Sequence, residues 1–156
     1  MLKKRKLGRN ISEITVGEKL VINAKIEDKD LLLYLGLTDD ANPLYIQHDY
    51  ASQTPWKKPI VPTIMLTGMI TSAISKYLPG PGSHIERHDI HFLKPVYHYE
   101  QLQFWFEVKS VDVDAHSITV AVEALRDERE KVLEGTLTVC PPYALSWLDS
   151  HVLENF

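Results

Sequence analysis

Cysteine is almost missing: Cys140 is the only one in 156 residues. A single thiol cannot close an intrachain disulfide or build a cysteine-rich metal knuckle. No apolar run approaches the ~20 residues that a bilayer-spanning helix needs. An excess of charge of one sign is missing too. Lys and Arg number 17 against 21 Asp and Glu, a formal charge of −4, which argues against a general nucleic-acid binder. The basic start Lys3-Lys4-Arg5-Lys6 is not followed by the apolar stretch of a secretory signal. These absences are read as those of a cytoplasmic protein with neither membrane nor nucleic acid as partner.

What is present suits one globular domain. Apolar residues make up 44% of the chain and charged residues 24%, enough to bury a core and too little net charge for disorder. A single domain is expected over residues 1–156, with 1–10 a solvated basic tail and 141–156 a C-terminal extension. Pro141-Pro142 closes the last strand, and residues 144–153 suit a short amphipathic helix.

Leu20, Ile22, Ala24 and Ile26 alternate with Val21, Asn23 and Lys25, which predicts a strand with one apolar face. Asp28 suits the cap of a short helix through Leu35, ended by Gly36. Residues 37–62 hold Pro43, Pro55, Pro59 and Pro62 with Tyr45, Tyr50 and Trp56 among them. So many prolines preclude a continuous helix or central strand. The aromatics argue for an ordered excursion that carries function, with one helical turn near residues 48–52.

Leu66, Met69, Ile70, Ala73, Ile74 and Tyr77 form one apolar stripe at helical spacing, so residues 63–78 are expected to be a buried helix. Pro79-Gly80-Pro81-Gly82 stops it. Period-two alternation follows four times, in the Ile90–Phe92 region, from Leu102, from Ile118 and from Leu133. One apolar helix followed by antiparallel strands predicts an α+β layer in which the sheet wraps the helix. Its edge strands need cover, which favours a dimer.

The excursion contains Leu37-Thr38-Asp39-Asp40-Ala41-Asn42-Pro43-Leu44-Tyr45. This resembles L-[ST]-x-D-x-N-P-[IL]-H, the signature of the MaoC-like, (R)-specific enoyl-CoA hydratases, a branch of the hot dog fold. Only the final histidine differs, and Tyr45 stands in its place. Pro59-Ile60-Val61 resembles the family's P-I-[AV]-H-G segment, with Pro62-Thr63 for His-Gly. Phe92, Pro95 and Val96 resemble its F-x-x-P-V strand ending. The similarity spans roughly residues 17–140.

The resemblance implies a hot dog fold and the reversible addition of water to a trans-2-enoyl thioester on CoA or acyl carrier protein (ACP), with no cofactor. It makes Asp40 the general base or water-holding carboxylate. It assigns Asn42 to the turn, and the backbone N–H groups of Thr63 and Ile64 to the thioester carbonyl. A homodimer or a paired hot dog subunit is implied. Tyr45 is the departure that matters. Imidazole titrates at about 6.5 and both takes and gives a proton at neutral pH, whereas a phenol titrates at about 10. Tyr45 is left as a hydrogen-bond or proton donor, His48 is the nearby imidazole that a bend of the loop would bring in, and the plain alternative is a packing aromatic.

Thr63, Thr67, Thr71 and Ser75 recur every four residues along the helix. Thr71 is a candidate for holding a substrate carbonyl, and the alternative is back-bonding to the carbonyl four residues earlier. His84, Glu86 and His88 share one face of a strand with zinc-ligand spacing, but no further ligand cluster accompanies them, so no metal is expected. His91, His98, His116 and His151 fall in no pattern. The functions compatible with this reading are a hydratase or dehydratase, a non-catalytic hot dog subunit or acyl-thioester binder, and an acyl-CoA thioesterase.

Overall fold

The computed structural model describes residues 7–144. The helix expected over residues 144–153, beyond its first residue, and the first six residues of the basic tail lie outside them. Residues 7–10 are seated rather than solvated. The Gly8 N–H donates to the Pro81 carbonyl at 2.8 Å and the Arg9 N–H to the Pro79 carbonyl at 3.0 Å, while Arg9 pairs with Glu18. A Cβ on Gly8 would lie 2.4 Å from the Pro79 oxygen, so only glycine permits this approach.

The first strand, β1 (Lys19–Ala24), leads into helix α1 (Asp28–Thr38), two short helices α2 (Pro43–Ile46) and α3 (His48–Ser52), and the long helix α4 (Thr63–Lys76). Four strands follow: β2 (His84–Phe92), β3 (Leu102–Asp112), β4 (Ser117–Arg126) and β5 (Glu130–Cys140). They form one antiparallel sheet in the order β1-β3-β4-β5-β2. Strands β3, β4 and β5 form a meander, and the two strands flanking α4 in sequence are the two edges.

Alternation explains the core. Phe104, Phe106 and Val108 of β3, Ile118, Val120 and Val122 of β4, and Leu137 and Val139 of β5 are buried in one cluster with Leu66, Ile70, Ala73 and Ile74 of α4. Side chains two apart on a strand share a face, and the helix fills that face with its own stripe. The α+β hot dog architecture expected from the sequence is the one observed. Among the described residues no helix is long and apolar enough to cross a membrane.

Two helix ends differ from the reading above. The N-cap of α1 is Glu27 rather than Asp28, and the Asp30 carboxylate accepts from the Glu27 N–H at 2.9 Å. Gly36 does not end the helix. The chain leaves it at Asp39, in the left-handed conformation with φ 56°, and the Asp39 N–H still reaches the Leu35 carbonyl at 2.8 Å. Aspartate is one of the few residues other than glycine that adopts this conformation readily. Pro43 does not break structure either. It opens α2 at the first turn, where a missing N–H costs nothing.

The loop between β2 and β3 is held by Arg126. Its guanidinium donates to Glu130 at 2.6 and 2.9 Å, to Glu100 at 3.1 Å and to the Pro95 carbonyl at 2.9 Å. The loop from Pro95 to Glu100 is thereby fixed to the end of β4, and this loop carries the Val96 carbonyl to which Val61, just ahead of α4, donates at 2.8 Å.

Gly135 of β5 pairs with Ile90 of β2 where the backbones leave no room for a side chain. A Cβ there would lie 2.2 Å from the Asp89 carbonyl oxygen and 2.8 Å from the Ile90 Cα. Both are backbone atoms that cannot rotate away. Gly135→Ala is therefore expected to destabilise the fold by about 1–3 kcal/mol through overpacking, read as a lowered urea midpoint. An unchanged midpoint would show that β2 moves freely.

Candidate active site

The motif loop is assembled by the end of α1. The Thr38 hydroxyl donates to the Tyr34 carbonyl at 2.8 Å and accepts from the Asp40 N–H at 3.3 Å. With Asp39 left-handed, the chain folds back and brings Asp40 beside Tyr34. The Tyr34 hydroxyl donates to Asp40 Oδ2 at 2.6 Å, and both residues are half-buried. The hydrogen bond to Asp40 holds the Tyr34 phenol above its usual value, with desolvation adding in the same direction. An anion beside a phenol opposes loss of its proton.

Asn42 caps α2. Its Oδ1 accepts from the Leu44 N–H at 2.9 Å, the self-bonding expected of asparagine ahead of proline. The Leu44 carbonyl then accepts from the Ile60 N–H at 3.2 Å, which ties the loop to the segment entering α4. Asp40 is thus presented by a turn whose backbone polar groups have partners on both sides.

Tyr45 and His48 come together on the wall of a cavity of about 580 Å³ between α1, α3 and residues 97–99. His98 and Lys58 share that wall, and the Lys58 ammonium sits 4.6 Å from the Tyr97 ring centre. Both His98 ring nitrogens are buried, with no hydrogen-bond partner among the described residues. Burial pushes the His98 pKa down, Asp28 opposes this, and His48 adds to it. His98 was not singled out by the sequence, where it stands as an isolated histidine between two tyrosines.

The start of α4 is open. Thr63 and Ile64 are exposed, Ile64 by 55%, and the helix begins at Pro62 without a side-chain cap. Among the described residues nothing accepts from the Thr63 and Ile64 N–H groups, as expected for the orphan donors of a first turn. Thr71 is further along and exposed. Its hydroxyl donates to the Thr67 carbonyl at 3.0 Å, and Thr67 donates to Thr63 at 3.2 Å. Thr67 and Thr71 thus bond their own helix. No hydrogen bond among the described residues links Asp40 with Tyr45, Thr63, Ile64 or Thr71. The structure pairs Asp40 with Tyr34, and sets Tyr45 and His48 on the wall of one cavity.

On β2, His84, Glu86 and His88 are all exposed, and a register shift between Ile85 and Arg87 interrupts the alternation that would align them. Among the described residues no three His, Cys, Asp or Glu side chains converge as a metal site.

Comparison with known proteins adds an independent line. Residues 12–130 match the family model of the MaoC like domain. The chain is 25% identical over 129 residues to the (R)-specific enoyl-CoA hydratase of Aeromonas caviae, covering 83% of this chain and 96% of that protein. It is 31% identical over 84 residues to the (R)-specific enoyl-CoA hydratase of Rhodospirillum rubrum, where the match spans 54% of this chain and 58% of that protein. Among solved structures, the unliganded R-hydratase PhaJ1 of Pseudomonas aeruginosa superposes with a TM-score of 0.79 at 24% identity, over 91% of this chain and 94% of that one.

The shielded nitrogens of the half-buried His98 make stability depend on pH. In the unfolded chain His98 takes a proton near the ordinary value of about 6.5, while the folded ring resists it. Stability from this residue is therefore present above that value and lost as pH falls toward the depressed folded value. The urea midpoint is expected to fall between about pH 7 and about pH 5, and to fall less in His98→Phe. Parallel curves for the two proteins would remove His98 as the cause.

Proposed function

The chain belongs to the MaoC-like domain family, and from that membership we propose that it catalyses the reversible addition of water to the double bond of a trans-2-enoyl thioester carried on CoA or ACP. The observation that carries this reading is the Asp40-Ala41-Asn42-Pro43 turn. It holds a half-buried carboxylate on a capped, doubly tethered loop. The names of the relatives, hydratases of enoyl-CoA, support the same reaction class.

In the hydration direction Asp40 takes a proton from water as the water oxygen bonds to C3. The C2=C3 electron pair moves toward C2 and on to the thioester oxygen, giving an enolate. The Thr63 and Ile64 N–H groups are positioned at a helix start, where free donors and the positive end of the helix dipole stabilise such an oxygen. Collapse of the enolate with a proton delivered to C2 gives the 3-hydroxyacyl thioester. At neutral pH a phenol serves as donor rather than base, so Tyr45 is assigned the hydrogen bond to water or the proton for C2, and His48 stands beside it on the same wall. Asn42 shapes the turn, and Thr71, its hydroxyl already bonded to the helix, is the weakest of the substrate contacts.

Two open sheet edges, β1 and β2, favour a homodimer or a paired hot dog subunit, and cytoplasmic action on soluble thioesters fits the composition. A non-catalytic subunit is the second reading, motivated by Tyr45 and by Pro62-Thr63, which stand where the family has His-Gly.

Assay with crotonyl-CoA and longer trans-2-enoyl-CoAs tests the proposal through loss of the conjugated-thioester absorbance. Wild type is expected to turn over. Asp40→Asn should lower kcat by about 10²–10⁴-fold, the usual contribution of a positioned acid or base. Tyr45→His is expected to raise kcat by about tenfold by restoring a group that titrates near neutrality. Binding without turnover by wild type and by Tyr45→His would favour the non-catalytic reading. Release of free thiol would identify a thioesterase.

A further inference from the structure

The sequence motif directs attention to Tyr45, yet the phenol that touches Asp40 is Tyr34. Its hydroxyl lies 2.6 Å from Asp40 Oδ2, the separation of a charge-assisted O–H to carboxylate bond. Thr38 joins the two residues a second time, donating to the Tyr34 carbonyl and accepting from the Asp40 N–H. Asp39 reverses the chain between them with φ 56°. Tyr34, Thr38 and Asp40 therefore form one closed unit built on the last turn of a single helix.

The chemistry of that unit is selective. A bidentate arginine would occupy both carboxylate oxygens and suppress their affinity for a proton. Among the described residues Asp40 has no ion-pair partner. A phenol has a single O–H to give. It fixes Oδ2, stays neutral at physiological pH, and leaves Oδ1 without a protein partner among the described residues.

We propose that Tyr34 is a positioning residue for the hydration chemistry, locking Asp40 through Oδ2 so that Oδ1 is the oxygen presented to water. The role rests on the hydratase reading above. Tyr34 keeps its proton throughout. The proton from water goes to Oδ1, the water oxygen bonds to C3, and the displaced electron pair goes to the thioester oxygen.

Tyr34→Phe removes one oxygen and keeps the ring. With crotonyl-CoA, kcat is expected to fall about 10–100-fold with KM changed less than about twofold, the pattern of a misaimed catalytic group rather than a lost binding contact. The urea midpoint of the variant, measured in parallel, separates this from partial unfolding. Titration of the protein carrying [¹³Cζ]tyrosine reads the bond without reference to turnover. The Tyr34 resonance, assigned by its loss in Tyr34→Phe, should titrate above the ordinary tyrosine value in wild type and move down toward it in Asp40→Asn. A Tyr34→Phe enzyme with wild-type kcat, alongside an inactive Asp40→Asn, would overturn the positioning role and leave the hydratase reading standing. A Tyr34 resonance that ignores Asp40→Asn would overturn it as well. A wild type that binds enoyl-CoA but never hydrates it removes the reaction itself, and with it the role.

Discussion

One buried stripe on α4 determines where everything else can be. Leu66, Ile70, Ala73 and Ile74 are at most 2% exposed, and the strands supply the matching apolar face through Phe104, Phe106 and Val120. The sheet must curl about this helix to remove both surfaces from water. The segment that enters the helix consequently crosses the sheet margin, where Val61 bonds to Val96 and Ile60 to Leu44. Those two backbone bonds are how the motif loop, which contributes little to the core itself, is placed with respect to the start of the helix.

The division of labour is visible in exposure. Leu32, Leu33 and Leu37 on α1 are 67%, 74% and 85% exposed, so burial in this chain does not hold α1 by an apolar stripe. Leu31 is its only buried residue. Local hydrogen bonds replace packing there: the Asp30 carboxylate at one end, and Thr38 with the left-handed Asp39 at the other. A loop organised by polar bonds can hold a carboxylate half in water, which a packed core cannot do without a large desolvation cost.

The parts governed by periodicity were legible in the sequence. Alternation in β3, β4 and β5 and the helical stripe from Leu66 to Ile74 each follow directly from which faces meet the core. The Asp40 turn was legible through its motif. The end of α1 was not. Gly36 offered a plausible stop, while the true reversal depends on a single aspartate adopting positive φ, which no pattern announces. Because the helix was ended three residues early, Tyr34 and Asp40 could not be seen as neighbours. His98 escaped for a different reason. Its ring nitrogens are shielded only where the chain brings residues 97–99 to the wall they share with α1 and α3, a tertiary effect with no local signal.

The strap formed by Gly8 and Arg9 crosses the loop that follows α4, on the far side of a helix of 14 residues, about 21 Å from end to end at 1.5 Å per residue. The chain is therefore anchored beside Pro79, at the end of α4 remote from Thr63, and the opening at the helix start is left to the motif loop alone.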